Sequence, residues 1–419
     1  MGDGTASFGV VGAGIMGRGI AEVAVGSGGF DRVVLHDSDR AQLDAAAAAL
    51  GAAAQGLTVA ADPGALAGCR FVVEAVTERI EAKSAVFALL GGVLAPDAVL
   101  VSNTSSIPIT RLAAGYPHPG QVAGLHFMNP APRMRGVEVI RGLRTSAETL
   151  RTTLATAARL GKEAVACRDR SGFVVNRILY PMLNAAAAAA GEGRVDPVAL
   201  DRAASIHPAG PRLPMGPLML ADLIGLDTVR GAMGILRAEL GPGFEPAAIL
   251  DGLVGRGALG AKSGAGFLLW SGGRPRGANP LAAELRSGAP AGASPEDPAE
   301  AARRAWLAMA NEALRVVEEG TSSAADVDRA CLHCLNHRVG ILAALDGHGL
   351  ARALAELGGL EARFGPAFQP PALLRRLTEA GFGGRDGGAG IYLWDRDGGA
   401  PAGINPSLEE YLGVAPDGG

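Results

Sequence analysis

Apolar and polar positions in the first 170 residues fall into short apolar runs separated by longer stretches with helical spacing. Buried strands are predicted at residues 8–12, 32–36, 71–74, 99–102, 122–127 and 136–140. A helical stretch at residues 15–25 follows the first of these strands. Strands that alternate with helices are typical of a doubly wound, mostly parallel sheet, so the sequence predicts an α/β domain over residues 1–170.

The strand pattern nearly disappears after Phe173, and alanine-rich helical pattern replaces it. Short motifs in this part recur downstream. Met182-Leu-Asn184 returns as Met309-Ala-Asn311, and Asp201-Arg-Ala203 returns as Asp328-Arg-Ala330, both 127 positions later. Gly264-Ala-Gly-Phe-Leu-Leu-Trp270 returns as Gly388-Ala-Gly-Ile-Tyr-Leu-Trp394, 124 positions later.

A constant shift on each side of a three-residue deletion indicates a duplicated helical domain. We therefore expect two all-α domains, at residues 171–278 and 297–419, joined by a Gly-, Pro-, Ala- and Ser-rich linker at residues 279–296. The alternative is that alanine-rich helices resemble each other by composition. The matched glycine, Asp-Arg and tryptophan positions favour duplication.

Composition and charge disfavour some classes of function but do not identify one. The 419 residues are 48% hydrophobic and 19% charged, with a formal charge of −4, which favours neither a nucleic-acid partner nor a membrane surface. The first residues lack a signal-peptide pattern and no apolar run is long enough to span a membrane. Four cysteines in a chain of this length make no disulfide framework, so we expect a cytoplasmic location.

A glycine-rich turn follows the first predicted strand and opens a helix. Gly12, Gly14 and Gly17 have the spacing of a Rossmann-like dinucleotide loop, in which the backbone and the helix N-terminus approach a pyrophosphate. Asp37 ends the second strand, where a carboxylate accepts from a ribose diol and repels a 2′-phosphate. The pattern predicts NAD as the cofactor, and the alternative is an ordinary glycine-rich turn of an α/β domain.

Candidate chemistry lies on two neighbouring predicted strands. His126 falls at the end of one strand and Glu138 within the next. A carboxylate behind an imidazole fixes its tautomer and stabilises its protonated form, while the free ring nitrogen takes a proton from a hydroxyl. This pair predicts a general base for alcohol oxidation beside a nicotinamide.

Several motifs occur in the order of one family. The series is Gly12-Ala-Gly-Ile-Met-Gly-Arg-Gly-Ile20, Val73-Glu-Ala-Val-Thr-Glu78, Ser102-Asn-Thr-Ser-Ser106, His126-Phe-Met-Asn-Pro130, Val137-Glu-Val-Ile140, Gly172-Phe-Val-Val-Asn-Arg177 and Pro214-Met-Gly-Pro217. In these motifs, over about residues 7–270, the chain resembles the 3-hydroxyacyl-CoA dehydrogenase family.

The resemblance implies an enzyme of fatty acid metabolism that oxidises a (3S)-3-hydroxyacyl thioester to the 3-oxoacyl thioester with NAD. It also implies roles for individual residues. His126 would be the general base and Glu138 its orienting partner, while Ser105 and Asn176 would hydrogen-bond the substrate oxygen. The remaining positions, matched to the cofactor side, are Glu78, Lys83, Asn129 and Lys262.

The chain departs from the family at the helix after the second strand, where short members carry residues that meet the CoA phosphates. Here only Arg40 is basic. An acyl carrier protein in place of CoA is therefore an alternative, favoured also by a run of arginines at positions 133, 135, 141, 144 and 151. Ala185 replaces a usual glutamate, and the stretch 207–213 is unusually proline-rich.

Two further functional hypotheses are a protein that is not an enzyme and a related group of dehydrogenases. A non-catalytic NAD-binding scaffold is disfavoured by the intact candidate residues. A 3-hydroxyacid dehydrogenase, which uses a lysine, is disfavoured by the His-Phe-Met-Asn-Pro motif. The residues Cys331, Cys334 and His337 have metal-ligating types, but no second pair completes a set of four ligands, so we expect no metal.

We expect the second helical copy to be structural. The shift of 127 places Arg303 where copy one has Asn176, and the sequence shows no second glycine loop and no counterpart of Pro214-Met-Gly-Pro217. In short family members, as the resemblance implies, the helical domains of two subunits form a dimer. A tandem copy would fill the partner's place, giving a monomer with an internal pseudo-dimer, with a homo-oligomer as the alternative.

Overall fold

A computed structural model describes residues 7–206, 213–286, 295–395 and 399–412. The chain divides into two units, Met1–Phe173 and Val174–Gly419. Most of the proline-rich stretch at 207–213, which the sequence singles out, lies outside the described residues.

The first unit combines strands and helices, and it contains the six predicted strands and two that the apolar runs did not indicate, at Leu57–Ala60 and Glu163–Arg168. Its strands are β1 (Ser7–Val11), β2 (Arg32–His36), β3 (Leu57–Ala60), β4 (Phe71–Glu74), β5 (Val99–Ser102), β6 (Val122–Phe127), β7 (Gly136–Arg141) and β8 (Glu163–Arg168). Its helices are α1 (Ile15–Gly26), α2 (Arg40–Leu50), α3 (Ile80–Gly91), α4 (Ile109–Ala113) and α5 (Ala147–Arg159).

The eight strands form one sheet in the order β3-β2-β1-β4-β5-β6-β7-β8. Strands β1 to β6 are parallel, β7 runs antiparallel to β6, and β8 is parallel to β7. After β3 the chain returns to the other side of β1, so the switch point lies between β1 and β4. The carboxyl ends of the strands beside such a point are where doubly wound sheets bind ligands. The central strands are apolar and buried throughout because helices cover both faces of a parallel sheet.

The second unit is mainly helical, and we call its first part copy one and its second part copy two. Copy one contains α6 (Val175–Gly191), α7 (Pro197–Ile206), α8 (Pro217–Ile224), α9 (Leu226–Leu240), α10 (Ala248–Gly255), β9 (Leu268–Ser271), β10 (Arg274–Ala278) and α11 (Pro280–Glu284). Copy two contains α12 (Pro298–Glu318), α13 (Ala324–Arg329), α14 (Ile341–His348), α15 (Leu350–Phe364), α16 (Ala372–Glu379), β11 (Tyr392–Trp394), β12 (Pro401–Ile404) and α17 (Pro406–Leu412).

Equivalent buried carboxylates tie each copy together in the same way. Asp201 accepts from the backbone N–H groups of Leu218 and Met219, and Asp328 accepts from those of Leu342 and Ala343. In each copy a glycine packs so closely against this aspartate that a Cβ would clash, at Gly216 in copy one and Gly340 in copy two.

A second pair of aspartates repeats this arrangement. Asp222 accepts from the Trp270 indole N–H at 2.8 Å, and Asp346 accepts from that of Trp394 at the same distance. The tryptophan positions matched in the sequence therefore make matched contacts.

The predicted fold class, an α/β unit followed by helical repeats, is confirmed, with additions that the apolar pattern did not indicate. Each copy contains a two-stranded hairpin, β9–β10 or β11–β12, followed by a short helix, and part of the predicted linker forms α11. The stretch 338–341 of copy two stands where copy one has Pro214-Met-Gly-Pro217, so the expectation of no counterpart there was wrong for the backbone, although only the glycine is kept. The finer domain boundaries stay a prediction.

The described residues contain no helix that is long and apolar enough to cross a membrane. They also contain no cluster of three or more His, Cys, Asp or Glu side chains that could hold a metal ion. Cys331 and Cys334 are buried thiols in a π-helical turn at Ala330–Cys334.

Candidate active site

The glycine loop connects β1 to α1. Gly12 has a positive φ of 104°, and a Cβ there would lie 2.7 Å from the carbonyl oxygen of Ala75. A Cβ at Gly17 would lie 1.8 Å from the carbonyl oxygen of Gly12, so both positions exclude any side chain. Gly14 caps α1 and a Cβ there would meet no atom within 4 Å, which leaves open space in front of the helix N-terminus. A pyrophosphate fits such a cradle.

Asp37 is held against this loop. Its Oδ2 atom accepts from the backbone N–H of Ala13 at 2.8 Å, and its Oδ1 atom accepts from that of Asp39 at 2.9 Å. The carboxylate is therefore fixed at the carboxyl end of β2, beside the glycine loop. The residues present fit the adenosine half of a dinucleotide, with Asp37 as the acceptor for a ribose diol.

Glu78 and Ser105 meet in a second network, past the ends of β4 and β5. One oxygen of Glu78 accepts from the Thr104 hydroxyl at 2.6 Å, from the Ser105 N–H at 2.9 Å and from the Ser105 hydroxyl at 3.2 Å. The same oxygen also accepts from the N–H and hydroxyl groups of Ser106. The predicted Glu78 and Ser105 thus lie together, and the carboxylate fixes the serine loop.

Lys83 is a buried lysine that contacts Glu78 of this network and also Glu74. It is 1% exposed, and its Nζ atom lies 2.8 Å from Glu74 Oε1 and 3.3 Å from Glu78 Oε2. Burial raises the pKa of Glu78, but the Lys83 charge and the hydrogen bonds from Thr104 and Ser105 outweigh burial and lower that pKa below its ordinary value. Glu78 is therefore an ionised acceptor at neutral pH.

Glu74 is a buried member of the candidate site that sequence reasoning missed. It is fully buried at the end of β4, where its carboxylate accepts from Lys83, from the Ser102 hydroxyl at 2.6 Å and from the Val76 N–H at 2.7 Å. The sequence does contain a clue to Glu74, which is a charged residue within an apolar strand. Such a residue is rarely buried without a partner. Glu74 joins the ends of β4 and β5 to Lys83.

His126 and Glu138 face each other across the antiparallel pair β6–β7. They are direct cross-strand partners, and His126 Nδ1 lies 2.7 Å from Glu138 Oε2. Glu138 is fully buried and His126 is 7% exposed. A carboxylate only accepts, so the hydrogen of this contact belongs to Nδ1 and Nε2 is left as the basic nitrogen.

Two neighbours position the histidine strand. Asn103, directly after β5, accepts from the backbone N–H of Phe127 at 2.8 Å and so fixes the residue next to His126. The Phe173 ring lies 6.2 Å from the imidazole, centroid to centroid. Asn129, expected on the cofactor side, is exposed and follows β6 at a cis Asn129–Pro130 bond.

Two other predicted residues belong to the second unit. Asn176 is half-buried in the first turn of α6. Lys262 forms an exposed ion pair with Asp227, whose carboxylate oxygens lie 2.6 and 2.7 Å from Nζ. The hydrogen bonds from Lys262 lower the Asp227 pKa below its ordinary value against the opposing effect of burial.

The helix α2, after the second strand, offers little to an anionic ligand. Its single basic residue, Arg40, lies 3.1 Å from the Asp44 carboxylate one turn later, and both side chains are exposed. The scarcity of basic residues on α2 that the sequence shows is therefore reinforced in the structure, because the charge of Arg40 is paired with that of Asp44.

Family models match both units. The model described as "3-hydroxyacyl-CoA dehydrogenase, NAD binding domain" matches residues 7–170. The model for the C-terminal domain of the same family matches residues 172–270 and again residues 301–394.

Named relatives agree with these matches. A probable 3-hydroxybutyryl-CoA dehydrogenase of Deinococcus radiodurans is 45% identical over 281 residues, which is 62% of this chain and 98% of the relative. The crystal structure of 3-hydroxybutyryl-CoA dehydrogenase from Escherichia coli K12 matches with a TM-score of 0.77 at 29% identity, over 90% of this chain and 99% of that one. The structure of (S)-3-hydroxybutyryl-CoA dehydrogenase from Ralstonia eutropha matches with a TM-score of 0.61 at 35% identity, over 64% of this chain and 99% of that one.

Proposed function

We propose that this chain, which belongs to the 3-hydroxyacyl-CoA dehydrogenase family and is an NAD-dependent oxidoreductase, oxidises a (3S)-3-hydroxyacyl-CoA to the 3-oxoacyl-CoA. The observation that carries this proposal is the buried His126–Glu138 pair at 2.7 Å on adjacent strands of the NAD-binding unit. The named relatives act on 3-hydroxybutyryl-CoA, which supports a short 3-hydroxyacyl thioester as the substrate class.

His126 is the general base in this proposal. Its Nε2 atom takes the proton of the C3 hydroxyl as the C3–H bond breaks and the C–O double bond forms. Bound NAD supplies the hydride acceptor. Glu138 holds the ring in the tautomer with a free Nε2 and then stabilises the imidazolium that forms, which is worth more in a buried site than in water.

Ser105 and Asn176 are the proposed donors to the substrate oxygen. The ionised Glu78 accepts from the backbone N–H groups of Ser105 and Ser106 and so holds the serine loop in one conformation. The Ser105 hydroxyl, 3.2 Å from Glu78 in this structure, would turn its single hydrogen to the substrate oxygen. Lys83 and Glu74 fix Glu78 in turn. Such preorganised donors stabilise charge on the oxygen without reorganising during the reaction.

The glycine loop and Asp37 are the proposed binding residues for the adenosine half of NAD. Gly12 and Gly17 permit the tight turn, and Gly14 leaves the N-terminus of α1 open to the pyrophosphate. Glu78, Lys83, Asn129 and Lys262 are proposed to serve the nicotinamide half, directly or by supporting those that touch it.

The proposal is tested by NADH formation from short (3S)-3-hydroxyacyl-CoA substrates, with His126→Gln as the decisive variant. Loss of the base should lower kcat by about 10²–10⁴-fold while NAD binding is kept. His118→Gln, a change of the same type at a histidine away from this pair, is the matched control and should keep wild-type activity. Activity of His126→Gln within about threefold of wild type would remove His126 from the mechanism.

A carrier-protein thioester is the second candidate substrate, and the paired charge of Arg40 favours it. A CoA ligand with several phosphates is normally met by free basic residues, and α2 has none to spare. Turnover on the same acyl group carried by CoA and by a carrier protein separates the two. No NADH from either thioester would instead indicate a non-catalytic NAD-binding protein.

A further inference from the structure

Copy two contains a cavity of about 640 Å³ that the proposed reaction does not use. It is bounded by α13, α14 and the hairpin β11–β12, and its walls include Trp394 and Tyr392. Small-molecule sites in proteins commonly have volumes of about 300–1,000 Å³ and mostly apolar walls with a few polar groups. The cavity therefore has the size of a ligand site.

Around this cavity, three large side chains of copy one are replaced by small ones in copy two. Along α8 of copy one, Met219, Leu220 and Leu223 occupy positions that in α14 are Ala343, Ala344 and Gly347. The surrounding frame is unchanged, since Asp328 and Asp346 make the same contacts as Asp201 and Asp222. The helix α14 thus keeps its place in the frame, and it has not moved to fill the space beside its smaller side chains.

Two arginines that copy one lacks at the equivalent positions contribute to the same cavity, beside Arg329 and His333. Arg338 stands at the position of Pro214 and Arg385 at that of Ala261, while Asp386 replaces Lys262, so the basic groups have moved to new positions without a change in net charge. The Arg385 guanidinium carbon lies 5.9 Å from the centre of the Trp394 ring, and its nearest carboxylate, on the exposed Asp386, is 3.8 Å away. Arg338 is exposed.

One acidic group, Asp328, lies in the wall, and its carboxylate oxygens are engaged by hydrogen bonds within the protein. Asp328 accepts from two backbone N–H groups and from the Tyr392 hydroxyl at 2.9 Å, and burial raises its pKa to about 6. Exposed apolar side chains, Leu332 and Val339, border the opening beside the arginines. Apolar walls with a cationic rim match a ligand with an apolar chain and an anionic head.

We propose that copy two binds an amphipathic anion in this cavity, with an aliphatic chain over Ala343, Ala344 and Gly347 and a carboxylate or phosphate head at Arg338 and Arg385. Arginine suits either head, because its guanidinium group donates to both. Copy two is then a ligand-binding domain derived from the duplicated scaffold. This inference does not depend on the reaction proposed for the first unit.

The test is isothermal titration of the full-length protein with octanoate, octyl phosphate and octylammonium, below their micelle concentrations. We expect one of the two anions to bind, which identifies the head group, and octylammonium to bind at least tenfold more weakly. Arg338→Ala/Arg385→Ala should weaken anion binding at least tenfold. Equal affinity for octylammonium and both anions would overturn the role of the arginines.

The decisive variant is Ala344→Leu/Gly347→Leu, which restores the side chains of copy one. It should lose anion binding at least tenfold with an unchanged thermal midpoint. Gly359→Leu, on α15 where a Cβ meets no atom within 4 Å, is the matched control and should bind as wild type does. Unchanged binding in the filled variant, or no binding of either anion to the wild-type protein, would overturn the proposal. If the filled variant unfolds, Ala344→Leu alone serves as the second test.

Discussion

Copy one and copy two pack α6 against α12, and the two ends of this contact are equivalent positions with different contents. At one end Arg177 of α6 meets Glu312 of α12 and Glu319, which directly follows α12, each at 2.7 Å. At the other end Arg304 of α12 meets one carboxylate, that of Glu192 directly after α6, at 2.6 Å. A shift of 127 relates Arg177 to Arg304 and Glu192 to Glu319, so the pairs are related by the duplication.

The difference comes from two positions on α6. Ala185 and Ala188 stand where α12 has Glu312 and Arg315, and a cavity of about 320 Å³ lies beside them. Within the part of the chain that the structure describes, the Nε and Nη1 atoms of Arg304 have no hydrogen-bond partner. The pseudo-symmetric interface thus keeps its charge pairs, but of the two equivalent arginines only Arg177 has all three of its nitrogens hydrogen-bonded.

The two copies also differ at a candidate substrate-binding position. Copy one carries Asn176 in the first turn of α6, and copy two has Arg303 at that position. Duplication therefore preserved the groups that hold the scaffold, such as Asp201 and Asp328, while the candidate substrate donor was kept once. The scaffold positions have to be kept in both copies because both copies have to remain folded and packed together. A substrate donor is needed in one copy alone.

Removal of residues 297–419 is the largest change and should disrupt the second unit. It strips α12 from α6, leaving Arg177 and the apolar face of α6 without cover. Exposed apolar faces of this kind favour self-association. We expect the truncated chain to aggregate or dimerise in light scattering, and the full-length chain to be a monomer. A truncated chain that stays monomeric and fully active would show that copy two does not cover copy one.

Substitution of Arg177 should cost more than the same substitution of Arg304. Arg177→Met leaves buried Glu312 with the more distant Arg315 alone, 3.8 Å away, in an interior where burial already raises the Glu312 pKa. Breaking a buried pair typically costs about 3–5 kcal/mol. Arg304→Met removes a side chain with one carboxylate contact and should cost less. Urea unfolding measures both, and Arg177→Met/Glu312→Met should recover part of the loss. Equal losses for the two arginines would contradict the asymmetry.

Substitution of Asn176 should affect the reaction, whereas substitution of its counterpart Arg303 should not. Loss of a donor to the reacting oxygen typically lowers kcat by about 10²-fold, so Asn176→Ala should fall by that amount at an unchanged thermal midpoint. Arg303→Ala is the matched control. Steady-state kinetics on the acyl-CoA substrate provides the measurement, and similar kcat values for both variants would remove Asn176 from the site.

The sequence predicted the elements whose signal is local. The glycine loop, β6 and β7 were found because their residues are close in the chain, and the register of the hairpin then places His126 opposite Glu138. Glu74 was missed because its role depends on Lys83 and Ser102, which are distant in sequence and meet only in the folded sheet. The short strand β3, which is only partly buried, lacks the apolar run of the central strands.

The duplication was visible in the sequence, but its consequences at the interface were not. Matched Gly, Asp and Trp positions revealed the repeat because they make the same local contacts in each copy. The pairing of Arg177 with Glu319 and of Arg304 with Glu192 connects residues more than 100 positions apart, and no local pattern indicates which charges will meet. The cavity in copy two likewise depends on which wall each small residue lines.

The smallest expected effect is a gain of stability from Ala185→Glu. The new carboxylate would stand relative to Arg304 as Glu312 stands relative to Arg177, and the adjoining cavity has room for the added atoms. An added hydrogen bond to a charged group offsets the cost of burying the carboxylate, so we expect a net gain of about 1 kcal/mol in the free energy of unfolding. Ala185→Gln adds the same volume without the charge and should gain less. Urea unfolding of both variants is the measurement, and a greater stability for Ala185→Gln would mean that the nearby carboxylate of Glu192 already satisfies the charge of Arg304.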